Sequence, residues 1–138
     1  MLFPFLMILR FKKYYEIYKQ FACFASMLLY HQKKFRSVSN SPNGEVAADT
    51  VFYYQQKENI VTATYSGGDI IIGQLIAVVT DEGSLDMRYQ HVNKKNVLMT
   101  GICFSTPEIL PDGKIRLHEK WQWTSGDCST GDSVLEEF

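Results

Sequence analysis

The sequence predicts an all-β fold, a single antiparallel meander of about eight strands that closes into a small lipocalin-like barrel. Turn residues recur at strand-length intervals from Lys33 onward, and no window between them has the 3.6-residue period of a helix. Aromatic residues make up 14% of the chain, which suits the pleated surface of β-structure. The 138 residues fit one domain.

Four strands are predicted in the first half of the barrel, at residues 34–39, 50–56, 60–65 and 70–80. The segments between them are rich in turn residues: NSPNG at 40–44, KEN at 57–59 and SGGD at 66–69. Proline and glycine interrupt strand pairing, and glycine also supplies the positive φ of a tight hairpin. These segments therefore predict antiparallel neighbours joined by short turns.

Four more strands are predicted at residues 84–92, 97–105, 115–124 and 133–138. The sixth is expected to end at Ser105 because Pro107 interrupts the stretch that follows it. The strongest turn in the chain is PDGK at 111–114. Because a sheet of eight sequentially paired strands would expose two edges, closure into a barrel is favoured over an open sheet or a sandwich.

Residues 1–26 differ in composition from the predicted barrel domain at 27–138. Arg10, Lys12, Lys13 and Lys19 oppose only Glu16, which leaves 4 − 1 = +3. The two apolar runs of this region are shorter than the roughly 20 residues of a membrane-spanning helix. We interpret residues 1–26 as an extension that arises from a mis-assigned start upstream of Met27, or as an amphipathic helix. We expect no stable membrane insertion and no contribution to the fold.

Charge and cysteine content restrict the partners that we expect. A net charge of −1 provides no field to attract phosphates, so nucleic acid is not predicted as a partner. Cys23, Cys103 and Cys128 lack the spacing of a disulfide framework or a metal site, which favours a reducing, cytoplasmic location. We predict no metal and no cofactor, and the pattern does not define an oligomeric state.

Period-two alternation identifies which side chains point into the barrel. Glu119 shares a face with Trp121 and Trp123, and the strand at 84–92 places Met87, Tyr89 and His91 on its apolar face. A buried carboxylate without a partner costs several kcal/mol or has a raised pKa. Glu119 therefore needs a partner, and His91 is expected to reach it across the lumen.

Three functions are compatible with these residues. The first is binding of a small, partly apolar molecule in the lumen, with ligand-binding candidates Tyr89, His91, Glu119, Trp121, Trp123 and Met87. The second is general acid/base catalysis by Glu119 and His91, which no recognisable nucleophile accompanies. The third is a non-catalytic structural or protein-interaction module, in which a Tyr, His and Glu network fills the lumen.

Four segments carry a resemblance to a known family: TYSGGDIIIGQLIAVV, DMRYQHVN, TGICFSTPEILPDGKIRLHEKWQWTSGD and SVLEEF. Through them, residues 27–138 resemble a family of small bacterial proteins labelled N-acetylglutamate synthase. The resemblance implies an acetyltransferase as an alternative function and supports Met27 as the ordinary start. It assigns no catalytic residue, because the chain has no R/Q-x-x-G-x-G/A loop to bind the pyrophosphate of acetyl-CoA.

Overall fold

The computed structural model describes residues 10–19 and 29–138. Residues 10–19 form a short helix, α1, whose side chains are all exposed, and no helix in the described residues is long and apolar enough to cross a bilayer. The predicted boundary at residues 26 and 27 lies outside the described residues. Eight strands follow: β1 (Lys33–Asn40), β2 (Val51–Lys57), β3 (Ile60–Gly67), β4 (Ile70–Val79), β5 (Leu85–Asn93), β6 (Leu98–Ile109), β7 (Ile115–Trp123) and β8 (Thr130–Glu137).

The strands form a closed barrel, which confirms the predicted all-β fold. Each strand pairs antiparallel with its neighbour in sequence, and β1 pairs with β8. In this closing ladder Phe35 lies opposite Glu137, and the register shifts between Ser37 and Ser39. Closure pairs β1 with β8, the two strands that would form the exposed edges of an open sheet.

The sixth strand is longer than the sequence predicted. It continues through Pro107 to Ile109, whereas its pairing with β5 ends where Ser105 lies opposite Leu85. Beyond that point β6 pairs only with β7. Because one side of this stretch has no strand partner among residues 10–19 and 29–138, a residue without an N–H group is tolerated there.

The interior is apolar at one end of the barrel, which we call the closed end. This end carries the β2–β3, β4–β5 and β6–β7 turns, and its fully buried side chains are Phe35, Val61, Leu85, Ile115, Leu117 and Leu135. Tyr30, just before β1, is also fully buried. Its backbone N–H donates to Gln56 Oε1, and its hydroxyl donates to the backbone oxygen of Gly83. Tyr30 thus covers the closed end and links β2 to the β4–β5 turn.

Candidate functional site

A small cavity lies in the opposite half of the barrel, towards the β1–β2, β3–β4, β5–β6 and β7–β8 loops, which we call the loop end. Its volume is ≈ 50 Å³. Six of the residues that line it are the ligand-binding candidates of the sequence analysis: Tyr89, His91, Glu119, Trp121, Trp123 and Met87. Alternation on β5 and β7 brings these side chains together, and their part in binding stays a prediction.

Glu119 and two serines form a polar group that we call the serine–carboxylate cluster (Ser105, Glu119 and Ser133), and its members Glu119 and Ser133 form the polar floor of the cavity. The strand register places Ser105 of β6 and Ser133 of β8 directly opposite Glu119 of β7. Each serine hydroxyl donates to one carboxylate oxygen, at 2.8 Å in both cases. Burial raises the pKa of Glu119, and the two hydrogen bonds oppose that rise without cancelling it.

His91 and Asn93 form a second polar set at the loop end, where both point inward from β5. His91 Nε2 lies 2.9 Å from Glu45 Oε1, and Asn93 Nδ2 donates to Glu45 Oε2 at 2.9 Å. Glu45 belongs to the loop between β1 and β2. Both oxygens of this loop carboxylate are therefore held by buried groups of one strand.

The other ring nitrogen of His91 faces Tyr65, whose hydroxyl lies 3.1 Å from Nδ1. Burial raises the pKa of Tyr65 far above the ordinary value of a phenol, so the hydroxyl stays protonated. Because a carboxylate oxygen accepts hydrogen bonds, His91 Nε2 is the donor to Glu45, while the Tyr65 hydroxyl contacts Nδ1 and also lies 3.3 Å from the backbone oxygen of Gln90. Both nitrogens of His91 are thus occupied.

The two acid/base candidates do not form the expected pair. Glu119 binds Ser105 and Ser133, whereas His91 binds Tyr65 and Glu45. The two side chains were expected to meet because both point into the lumen. They lie at different heights along the barrel axis, since His91 is opposite Met99 of β6 and Glu119 is opposite Ser105. Each finds a closer partner on a neighbouring strand or loop.

Aromatic rings form much of the cavity wall around Trp123. The ring of Trp123 lies 5.6 Å from that of Trp121, 5.8 Å from that of Tyr89 and 5.7 Å from that of His91, all edge to face. Its indole Nε1 donates to the backbone oxygen of Asn43 at 3.0 Å. Trp123 therefore joins the cavity wall to the β1–β2 loop.

The family model described as Avidin-like protein matches residues 28–138. The chain belongs to this family. The match overturns the resemblance to the family labelled N-acetylglutamate synthase over nearly the same residues, and the acetyltransferase alternative, which depended on that label, falls with it. No curated protein matches the chain, and neither does any solved structure.

Several polar residues in and beside the cavity were not predicted from the sequence. Asn93, Ser105 and Tyr65 all continue the inward alternation of their strands, so the period-two pattern could have found them. Asn93 was lost because the fifth strand was predicted to end at Val92. Glu45 lies in a loop without periodicity, and no signal in the sequence identifies it.

Proposed function

We propose that this avidin-like barrel binds a small, partly apolar molecule in its lumen. The observation that carries the proposal is a cavity with aromatic and aliphatic walls and polar groups concentrated at its floor and its loop end. Ligand sites generally combine a mostly apolar surface with a few well-placed polar groups. The serine–carboxylate cluster offers an acceptor at the floor, and its two serines hold that acceptor in place.

The size of the cavity limits what can enter without movement. A volume of ≈ 50 Å³ holds about one or two water molecules, whereas sites for drug-sized ligands measure roughly 300–1,000 Å³. Any ligand larger than a few atoms therefore needs the cavity to open. The β1–β2 loop is the element that closes it, since Gly44, Glu45 and Val46 all line the cavity.

Native mass spectrometry of the full chain after incubation with a metabolite extract tests this function. Biotin belongs in the mixture because avidin-like barrels bind small ligands of this kind. Cys103→Leu is the blocking variant, since a larger side chain fills the cavity that Cys103 lines. Ile102→Leu, on the outer face of the same strand, is the matched control.

We expect the wild type and Ile102→Leu to retain the same small molecule and Cys103→Leu to lose it. Circular dichroism and thermal unfolding establish that the blocking variant is folded, because overpacking costs about 1–3 kcal/mol. A folded wild-type protein that retains no molecule from the extract, at any concentration tested, contradicts the proposal.

A second candidate function is association through the outer face of the barrel. On β4, Ile72, Ile76 and Val78 are 57%, 55% and 51% exposed. Val78 pairs with Ile60 of β3, which is also exposed, and clustered apolar side chains on an outer face are typical of a protein-interaction site. Light scattering after size-exclusion chromatography tests this candidate. If it is correct, Ile76→Lys shifts an assembled form towards the monomer, and a wild type that is already monomeric at all concentrations rules it out.

A further inference from the structure

The groups that hold Glu45 are arranged as a receptor for a carboxylate. His91 and Asn93 lie two residues apart on β5, so both point to the same face, and they are 2% and 6% exposed. Their donors, Nε2 and Nδ2, contact one carboxylate oxygen each at 2.9 Å. We call this pair of donors the carboxylate fork (His91 Nε2 and Asn93 Nδ2).

Both donors of the carboxylate fork are oriented by contacts that do not involve Glu45. The side-chain oxygen of Asn93 accepts the backbone N–H groups of Lys95 and Val97, at 3.0 and 3.1 Å. This arrangement directs Nδ2 towards Glu45 and prevents the amide from rotating to present its oxygen. Tyr65 fixes the ring of His91 through Nδ1. The fork is therefore preorganised to bind an anion.

The carboxylate that occupies the fork comes from a loop and not from the barrel wall. Glu45 retains 24% exposure of its side chain, and the loop around it is held by neutral hydrogen bonds. Asn40 Nδ2 donates to the backbone oxygen of Val46 at 2.9 Å, and Trp123 Nε1 donates to that of Asn43. Asn43 Nδ2 also donates to Ser129 Oγ and to the backbone oxygen of Thr130. Neutral contacts of this kind are each of modest net strength, so a competing ligand opens the loop against several weak bonds.

We propose that the carboxylate fork is the subsite for a carboxylate-bearing ligand and that Glu45 occupies it as an internal substitute when the barrel is empty. A ligand with a carboxylate and an apolar or aromatic body displaces Glu45, opens the β1–β2 loop and places its body among the aromatic rings of the lumen. This inference rests on the proposed lumen-binding function and specifies its ligand class.

Two small probes test the preference for a carboxylate. Phenylacetate carries the charged group, and phenylacetamide is its neutral counterpart of nearly the same shape. Each is titrated into the full chain and followed by tryptophan fluorescence, since Trp123 packs against His91. The variants are Glu45→Ala, which empties the fork, and Glu45→Gln, whose amide has one oxygen and so leaves one donor of the fork facing a nitrogen. Asp49→Asn is the control, because it removes an exposed carboxylate of the same loop.

We expect Glu45→Ala to bind phenylacetate about tenfold more tightly than the wild type, since the ligand no longer competes with an internal carboxylate. Glu45→Gln is expected to show a gain in the same direction, whereas Asp49→Asn binds as the wild type does. Phenylacetamide gains much less in all variants. Adding Asn93→Asp to Glu45→Ala replaces a donor with a carboxylate oxygen and abolishes the gain for phenylacetate.

Equal gains for phenylacetate and phenylacetamide overturn the carboxylate fork but leave lumen binding in place. If Glu45→Ala still binds phenylacetate more tightly after Asn93→Asp is added, the carboxylate fork is overturned as well. If no variant binds either probe, the inference fails, while the proposed function is judged independently by the molecule that the wild-type barrel retains in native mass spectrometry. Should Glu45→Ala not fold, the comparison rests on Glu45→Gln, which keeps the size of the side chain.

Discussion

Glu119 is a carboxylate whose surroundings oppose its charge. Burial raises its pKa above the ordinary value of 4.5, and the bonds from Ser105 and Ser133 offset only part of that effect. The folded protein therefore binds this proton more tightly than the unfolded chain does. The resulting contribution to stability is fully present below pH 4.5 and is lost as the pH rises through the folded pKa.

Glu119→Gln is expected to remove this pH dependence, because the amide stays neutral in both states. Relative to the wild type, the variant should gain stability at pH 8, by on the order of 1 kcal/mol, and lose that advantage at pH 4. Urea unfolding between pH 4 and pH 8 measures the difference. If the difference in unfolding free energy between the two proteins is the same at every pH, the raised pKa of Glu119 is contradicted.

Two buried tyrosines differ in how their hydroxyls are satisfied. The hydroxyl of Tyr65 faces His91 Nδ1 at 3.1 Å, whereas the hydroxyl of Tyr54 has no hydrogen-bond partner in the part of the chain that the structure describes. A buried polar group without a partner carries its full cost of desolvation. The two hydroxyls should therefore have opposite effects on stability.

Tyr54→Phe and Tyr65→Phe form a matched pair that tests this difference. Tyr54→Phe is expected to leave the free energy of unfolding unchanged or to raise it by about 1 kcal/mol, since it removes an unsatisfied group. Tyr65→Phe removes the hydrogen-bond partner of His91 Nδ1 and the contact with the backbone oxygen of Gln90, and it is expected to cost about 1–3 kcal/mol. Urea unfolding compares the two, and equal losses would show that Tyr54 has an unrecognised partner.

At the scale of strands, the cavity wall is shaped by glycines that lie opposite aromatic residues. The three cross-strand pairs are Gly73 with Tyr65, Gly101 with Tyr89, and Gly131 with Trp121. A Cβ atom at any of these glycines would lie 2.2 or 2.3 Å from the opposing ring. Glycines inside the strands, such as Gly73 and Gly101, were expected to serve the sharp bends of a small barrel, and each of the three also leaves space for a ring that lies across the strand.

Gly101→Ala is expected to displace the ring of Tyr89 and to cost about 1–3 kcal/mol through overpacking. The same movement alters the cavity that Tyr89 lines, so binding in the lumen should weaken as well. Thr106→Ala, on the outer face of β6, is the control. Combining Gly101→Ala with Tyr89→Val removes the clash, and a double-mutant cycle should then show strong non-additivity. Simple additivity would contradict this packing role.

The inward faces of β5 and β7 were predictable from sequence because a closed barrel has one interior and alternation has a period of two. That pattern alone brought Met87 and Trp121 to the same cavity. The extension of β6 through Pro107 was not predictable, because it depends on where β5 stops pairing. The role of Glu45 was not predictable for a related reason. It contacts His91 across 46 residues of sequence and lies outside any strand.

Which polar side chains pair inside the barrel was also not predictable from the sequence. Alternation predicts that Glu119 and His91 both point inward, but it does not say at what height each lies. Height depends on the stagger of the strands, which places Ser105 and Ser133 beside Glu119. Sequence reasoning therefore found the correct interior set and the wrong pair within it.

Across the whole molecule, the two ends of the barrel have different roles. The closed end is packed with apolar side chains under Tyr30, and the loop end holds the carboxylate fork (His91 Nε2 and Asn93 Nδ2) below the β1–β2 loop. The packed closed end holds the strands together, and the loop end carries the candidate site. This division is common, because ligand-binding loops generally belong to the less stable parts of a fold. Tyr30 is thus expected to contribute to the stability of the closed end.

Removal of residues 1–28 tests how much of the chain the barrel needs. The barrel closes through β1 and β8, and α1 buries none of its side chains, so we expect the shortened chain to unfold at the same temperature as the full chain. Tyr30→Ala in the full chain is expected to cost roughly 3 kcal/mol, as large-to-small changes in a core do. Circular dichroism during heating measures both. Loss of soluble, folded protein on removal of residues 1–28 would show that the N-terminal region contributes to the fold.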